Sequence, residues 1–151
     1  MALKEQINND LKTALLGGNR FSAEVLRGLK AAILNEEVAQ NKREAGLEDT
    51  AIEQIVAREI KKRNESAVVY DGAGRPELAK DERAEAYILA NYLPEQVSEA
   101  EIEVTVLRLI NELDAHGMSS MGQVIGAVKK ELGNSADGAL IAKLVKSSLM
   151  Q

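Results

Sequence analysis

Apolar residues recur every three or four positions along almost the whole chain, and no segment alternates apolar and polar residues as a half-buried strand would. The first segment shows the pattern plainly, because Leu3, Ile7, Leu11 and Leu15 are each four residues apart. Side chains at this spacing lie on one face of an α-helix. The periodicity therefore predicts an all-α protein of seven helices.

Glycines, prolines and capping residues set the expected helix boundaries. A polar stretch at residues 41–49 predicts a loop, and Pro76 suits the first turn of a fourth helix. Three hydroxyl residues are followed three positions later by Glu or Gln, a pattern typical of a capping box at a helix start: Thr50 with Glu53, Ser98 with Glu101, and Ser120 with Gln123.

The break at Pro94 predicts two domains, because a proline disfavours helical geometry at the residue before it. Long helices with short connections predict a four-helix antiparallel bundle over residues 1–94. Residues 95–151 would then form a small three-helix domain. Charge changes along the chain as well, since residues 1–117 carry a net −7 and residues 118–151 a net +2.

Composition excludes several kinds of function. The chain of 151 residues has no cysteine and one histidine, which excludes disulfides, a thiolate nucleophile and a His-rich metal site. No apolar run approaches the ~18 residues of a membrane-spanning helix, and the first residues lack the apolar core of a secretory signal. We therefore expect a cytoplasmic protein with no metal, no cofactor and no membrane association.

Four charged residues fall on the apolar faces of the third and fourth helices: Glu59, Arg63, Glu82 and Glu85. Charged side chains are rarely buried unless they are paired, so we expect an ion network that joins the two helices. The alternative is a carboxylate site for acid–base chemistry or a divalent ion. A neighbouring basic run, residues 58–63, is either a solvated helix face or a phosphate-binding patch.

Two glycines within the sixth helix form a second candidate site. Gly122 and Gly126 are four residues apart, away from Val124 and Val128, and beside Lys129 and Lys130. Glycine costs a helix about 1 kcal/mol relative to alanine. The strip either packs closely on another helix or lets a nucleic-acid backbone approach next to two ammonium groups.

Five motifs in series resemble the YqeY-like proteins of the GatB/YqeY family, and the resemblance covers essentially the whole chain. They are residues 26–30 (LRGLK), residues 59–66 (EIKKRNES), residues 73–75 (AGR), residues 92–96 (YLPEQ), and the glycines Gly122 and Gly126. The family pattern matches Arg63, Arg75, Gly122 and Gly126.

The resemblance implies an all-helical protein similar to the tail of the B subunit of the tRNA-dependent amidotransferase. That tail holds tRNA, and the family carries the label of carbon–nitrogen ligase activity with glutamine as amido-N-donor. The resemblance thus implies tRNA and a tRNA-modifying or aminoacylation-related enzyme as partners. With the two lysines beside the glycine strip added, the predicted RNA contacts are Gly122, Gly126, Lys129, Lys130 and Arg75.

The sequence itself offers no catalytic residue for that label. Glutamine-dependent amidation needs a nucleophile that releases ammonia and a site that binds ATP, and the chain has neither a cysteine nor a nucleotide-binding loop. We therefore predict a tRNA-binding accessory without activity of its own. The alternatives are a helical protein–protein adaptor and an enzyme whose pocket the sequence does not reveal.

Overall fold

The computed structural model describes residues 2–151, and every regular element in that range is helical. The expectation of an all-α protein is confirmed. The seven α-helices of the described residues are α1 (Ala2–Leu16), α2 (Arg20–Ala39), α3 (Asp49–Gly72), α4 (Pro76–Ala90), α5 (Glu99–Glu112), α6 (Met121–Leu132) and α7 (Gly138–Leu149). Two short 3-10 turns, Met118–Ser120 and Gly133–Ser135, flank α6. None of the described helices combines the length and the apolar character that crossing a membrane requires.

The chain separates into two compact units, Met1–Leu93 and Pro94–Gln151, which we call unit 1 and unit 2. Unit 1 contains α1 to α4, in which α3 and α4 pack along each other and α1 pairs with α2. Its core is built from apolar stripes of all four helices, with Ile7, Leu29, Ile52 and Leu89 completely shielded from solvent.

Unit 2 has a core of its own, formed where α7 packs against both α5 and α6. Ile102, Val106, Val124, Val128 and Ile141 are almost completely buried there. None of these residues belongs to the core of unit 1, so each unit buries a separate apolar cluster.

Of the three helix caps predicted from the sequence, one is confirmed and two are not. Ser98 caps α5 as expected, since its hydroxyl accepts the N–H of Glu101 at 3.1 Å. The prediction for Ser120 is wrong, because the preceding 3-10 turn brings its hydroxyl to the backbone of His116 instead. Helix α3 starts at Asp49, so Thr50 lies inside its first turn rather than at the cap position.

Candidate nucleic-acid interface

Helix α6 buries one face in the core of unit 2 and leaves the opposite face bare. Val124 and Val128 are completely buried, whereas Gly122 and Gly126 are exposed. A methyl group built on either glycine would meet no atom of another element within 4 Å. The helix-packing interpretation of these glycines therefore finds no neighbouring helix in unit 2.

Two exposed lysines follow the glycines in the last turn of α6. Lys129 and Lys130 suit that position because a positive charge stabilises the negative end of the helix dipole. The stem of Lys129 lies across the first residue of α7: its Cε and Nζ are 3.4 and 3.5 Å from where a Cβ of Gly138 would be. Neither lysine pairs with a carboxylate among residues 2–151.

The acids nearest to these lysines in sequence already have other partners. Glu131 pairs with Arg108 of α5, which also binds Glu112 at 3.1 Å. Asp137 caps α7 by accepting the N–H of Leu140 at 3.0 Å. Lys129 and Lys130 therefore make no direct ion pair, although Asp137 keeps its negative charge one residue before Gly138.

Arg75, the remaining residue of the expected RNA site, belongs to unit 1 and lies in the turn between α3 and α4. This turn needs Gly74, whose φ of +73° is in the left-handed region that favours glycine. The side chain of Arg75 is exposed, and its Nε is 2.7 Å from Glu77. The guanidinium lowers the pKa of the Glu77 carboxyl through this hydrogen bond.

Three of the four residues of the expected ion network meet between α3 and α4. Arg63 Nη1 is 3.2 Å from a carboxylate oxygen of Glu59, and its Nε is 3.5 Å from one of Glu85. The side chains of Arg63 and Glu59 are 18% and 12% exposed. Arg63 Nε is buried and makes no hydrogen bond, so its interaction with Glu85 is an ion pair without a hydrogen bond.

Glu82 does not pair with Arg63 within the described chain, but its charge affects Glu85. Burial is the main cause that raises the pKa of Glu85; Arg63 opposes this shift, and the nearby charges of Glu82 and Asp81 add to it. Among residues 2–151 no group of three or more His, Asp and Glu side chains could hold a metal ion.

Most of the basic run on α3 is also engaged by carboxylates. Arg58 lies 3.9 Å from Glu36, and Lys62 lies 3.2 Å from Glu59. Lys61 is exposed and makes no ion pair in the part of the chain that the structure describes. This distribution favours the solvated-face interpretation of the run over a phosphate-binding patch.

Two buried polar contacts of unit 1 were not predicted from the sequence. Glu37 is 2% exposed, binds Lys4 Nζ at 2.8 Å and accepts the N–H of Leu47 at 3.3 Å. The burial of Glu37 could have been predicted from the sequence, because Glu37 lies one helical turn beyond Leu29 and Ile33 on the same face of α2.

The second contact joins the two ends of unit 1. The hydroxyl of Tyr92 donates to Asp10 at 2.6 Å, and the tyrosine is 5% exposed. Burial and this hydrogen bond both raise the pKa of Tyr92. No local pattern relates residues 82 positions apart, so the pairing could not be found by spacing alone.

Curated relatives of this chain are proteins named "Altered inheritance of mitochondria protein 41, mitochondrial". The one from Lachancea thermotolerans is 30% identical over 96% of this chain and 78% of its own length. Those from Pyrenophora tritici-repentis and Clavispora lusitaniae are 26% and 25% identical, over 93% and 97% of this chain and 77% and 86% of their own.

These names overturn one expectation. We expected a cytoplasmic protein, and that prediction is wrong, because the relatives are named as mitochondrial proteins. The absence of a secretory signal, on which the prediction was based, does not distinguish these two compartments. A family model described as "Yqey-like protein" matches residues 4–149, nearly the full length, and the chain therefore belongs to the YqeY-like family.

Proposed function

We propose that this protein is a non-catalytic RNA-binding accessory and that tRNA is the RNA it binds. The observation that carries the proposal is the bare face of α6, with Gly122 and Gly126 open to solvent beside the unpaired Lys129 and Lys130. A bare backbone lets a sugar–phosphate chain approach closely, and ammonium groups bind its phosphates.

The cost of these glycines supports a role at a binding surface. Each costs the helix about 1 kcal/mol relative to alanine. Neither has the positive φ that would require glycine, and neither makes room for a neighbouring helix in unit 2. Since folding gives no reason for them, a partner that needs close approach is the remaining use of the strip.

The identity of the partner comes from the family resemblance. The tail of the amidotransferase B subunit holds tRNA, so the same role here would place this protein beside a tRNA-modifying or aminoacylation-related enzyme. Arg75 is part of the proposal as a contact in unit 1, where it would exchange Glu77 for a phosphate. With a net charge of −5, the chain should bind RNA through this local site rather than through its overall field.

A titration of labelled bulk tRNA at several salt concentrations tests the proposal. We expect the parent protein to bind, and the double variant Lys129→Glu/Lys130→Glu to bind more weakly for all tRNA sequences alike. Gly126→Leu should block the approach while the helix still forms, because leucine is the better helix former.

Thermal melts of each variant separate a blocked surface from a damaged fold. A folded Gly126→Leu protein with unchanged tRNA affinity would remove the α6 face from the proposal. A parent protein that binds no tRNA at low salt would overturn the proposed function itself.

The second candidate is a helical protein–protein adaptor, favoured by one observation on α5. Val104 and Leu107 are 67% and 50% exposed and lie three residues apart on one face of this helix. Incubation with the amidotransferase in the absence of RNA distinguishes the two functions. A complex that forms without RNA and is lost in Leu107→Glu would support the adaptor.

We also propose that the two units are separate domains, a four-helix antiparallel bundle over residues 1–94 and a small three-helix domain over residues 95–151. The separate apolar clusters of the two units support this division. RNA binding would then reside mainly in the smaller domain.

A further inference from the structure

Helix α7 carries two more lysines that make no ion pair within residues 2–151. Lys143 and Lys146 are exposed, and neither pairs with a carboxylate in the described part of the chain. The acids of residues 118–151 are Glu131, which pairs with Arg108, and Asp137, which caps the start of α7 at the opposite end of the helix from Lys146. Unit 2 therefore has a basic region on two helices rather than on α6 alone.

The contact between Lys129 and Gly138 shows which side of α7 adjoins that end of α6. Helices α6 and α7 pack together and are joined by only five residues, 133–137, so they run in broadly opposite directions. Moving along α7 from Gly138 therefore leads back past the earlier turns of α6.

Lys146 lies nearer to this seam around α7 than Lys143 does. At about 100° per residue, Lys146 is about 80° from the direction of Gly138, whereas Lys143 is about 140° away. Eight residues at 1.5 Å each put Lys146 about 12 Å further along the helix. Lys129 and Lys146 thus mark opposite ends of one seam between α6 and α7.

We infer that Lys146 is a further phosphate-binding residue and that the nucleic-acid backbone follows the α6–α7 seam from Lys129 to Lys146. This inference rests on the proposed function. Phosphates along one strand of a duplex are about 3.4 Å apart along the axis, so a 12 Å seam spans about four of them. Such contacts are made to the backbone and carry no sequence preference.

Salt dependence measures the contact directly, because each phosphate that a cation neutralises contributes a fixed slope. We would titrate labelled tRNA from 50 to 200 mM salt with the full-length parent, Lys146→Gln and Lys143→Gln. Losing one contact should lower the slope of log affinity against log salt by about 0.7 to 0.9. We expect this loss for Lys146→Gln and no change for Lys143→Gln, which alters the same charge one turn away.

Each other outcome has a definite meaning. Equal losses in both variants would overturn the inference in favour of a diffuse field around α7. Weak binding by Lys129→Glu/Lys130→Glu with an unchanged slope for Lys146→Gln would overturn the inference and leave the proposed function standing. Absence of tRNA binding by the parent would overturn both.

Two further measurements serve as controls. Thermal melts check that Lys146→Gln is folded, since a lysine in the last turn stabilises α7 through the helix dipole. Vesicles containing phosphatidylserine test the other source of anionic groups. Binding to vesicles but not to tRNA would identify a membrane-surface patch and overturn the inference.

Discussion

The two units of this protein use their charged side chains in different ways. In unit 1, arginines join neighbouring helices: Arg63 lies between Glu59 and Glu85, and Arg83 of α4 binds Asp71 of α3. In unit 2, the lysines of α6 and α7 have no partner in the described chain. Arg108 joins α5 to α6 in unit 2 as the arginines join helices in unit 1, but the lysines of α6 and α7 make no such link and are available to an external anion.

Separating the units should have the largest effect. We expect a fragment of residues 1–93 to fold alone with a cooperative thermal transition, because its four helices close around their own core. A fragment of residues 94–151 is only 58 residues long, and a chain of that size buries a smaller share of its surface, so its stability should be marginal. Circular dichroism melts of both fragments and of the full chain measure this. If neither fragment folds, the comparison of two self-sufficient units fails.

Replacing Arg63 should be the most damaging single change to charge in unit 1. Arg63→Ala leaves Glu85 without a cation and leaves the nearly buried carboxylate of Glu59 with Lys62 alone. Losing a hydrogen bond to a charged group costs about 1.5–3 kcal/mol of unfolding free energy. The matched control is Arg83→Ala, which also removes a link between α3 and α4 but from an exposed pair, so its loss should be clearly smaller. Urea denaturation that gives equal losses for both variants would contradict the division between buried and exposed pairs.

The exposed glycines of α6 should respond in the opposite direction. Gly122→Ala and Gly126→Ala should each stabilise unit 2 by about 0.5–1 kcal/mol, because alanine is the better helix former and the added methyl group has open space. If the bare face binds RNA, the same variants should weaken tRNA binding. A gain in melting temperature together with unchanged affinity would show that the glycines serve neither the fold nor the ligand.

The smallest effect concerns Glu85 and the pH. Its pKa in the folded protein is raised above the ordinary 4.5, so between these two values the folded state holds a proton that the unfolded state releases. Stability must then fall as the pH rises from about 4.5 through the folded-state pKa. Glu85→Gln should remove this fall, which chemical denaturation at several pH values measures. If Glu85→Gln shows the same pH dependence as the unmutated protein, the loss of stability with rising pH comes from another group.

Helical periodicity was enough to predict the all-α class, because buried positions on a helix repeat every three to four residues and Leu29 and Ile33 follow that rule. It also indicated that Arg63 must find carboxylates, since it falls on an apolar face. It failed at Ser120, where a 3-10 turn changed the geometry just before the helix. It also could not find the pairing of Asp10 with Tyr92, because that contact depends on the packing of four helices and has no local signature.

The same hydrogen bond between Tyr92 and Asp10 has a consequence for the order in which unit 1 is built during translation. Asp10 leaves the ribosome early, but its partner is 82 residues further along the chain and lies beyond the end of α4. Contacts between such distant residues close large loops and therefore form late. While the chain emerges, α1 and α2 can pair with each other. The hydrogen bond between Asp10 of α1 and Tyr92 can form only after residue 92 has left the exit tunnel. Unit 1 should therefore complete its fold in one late step, while unit 2 is still being synthesised.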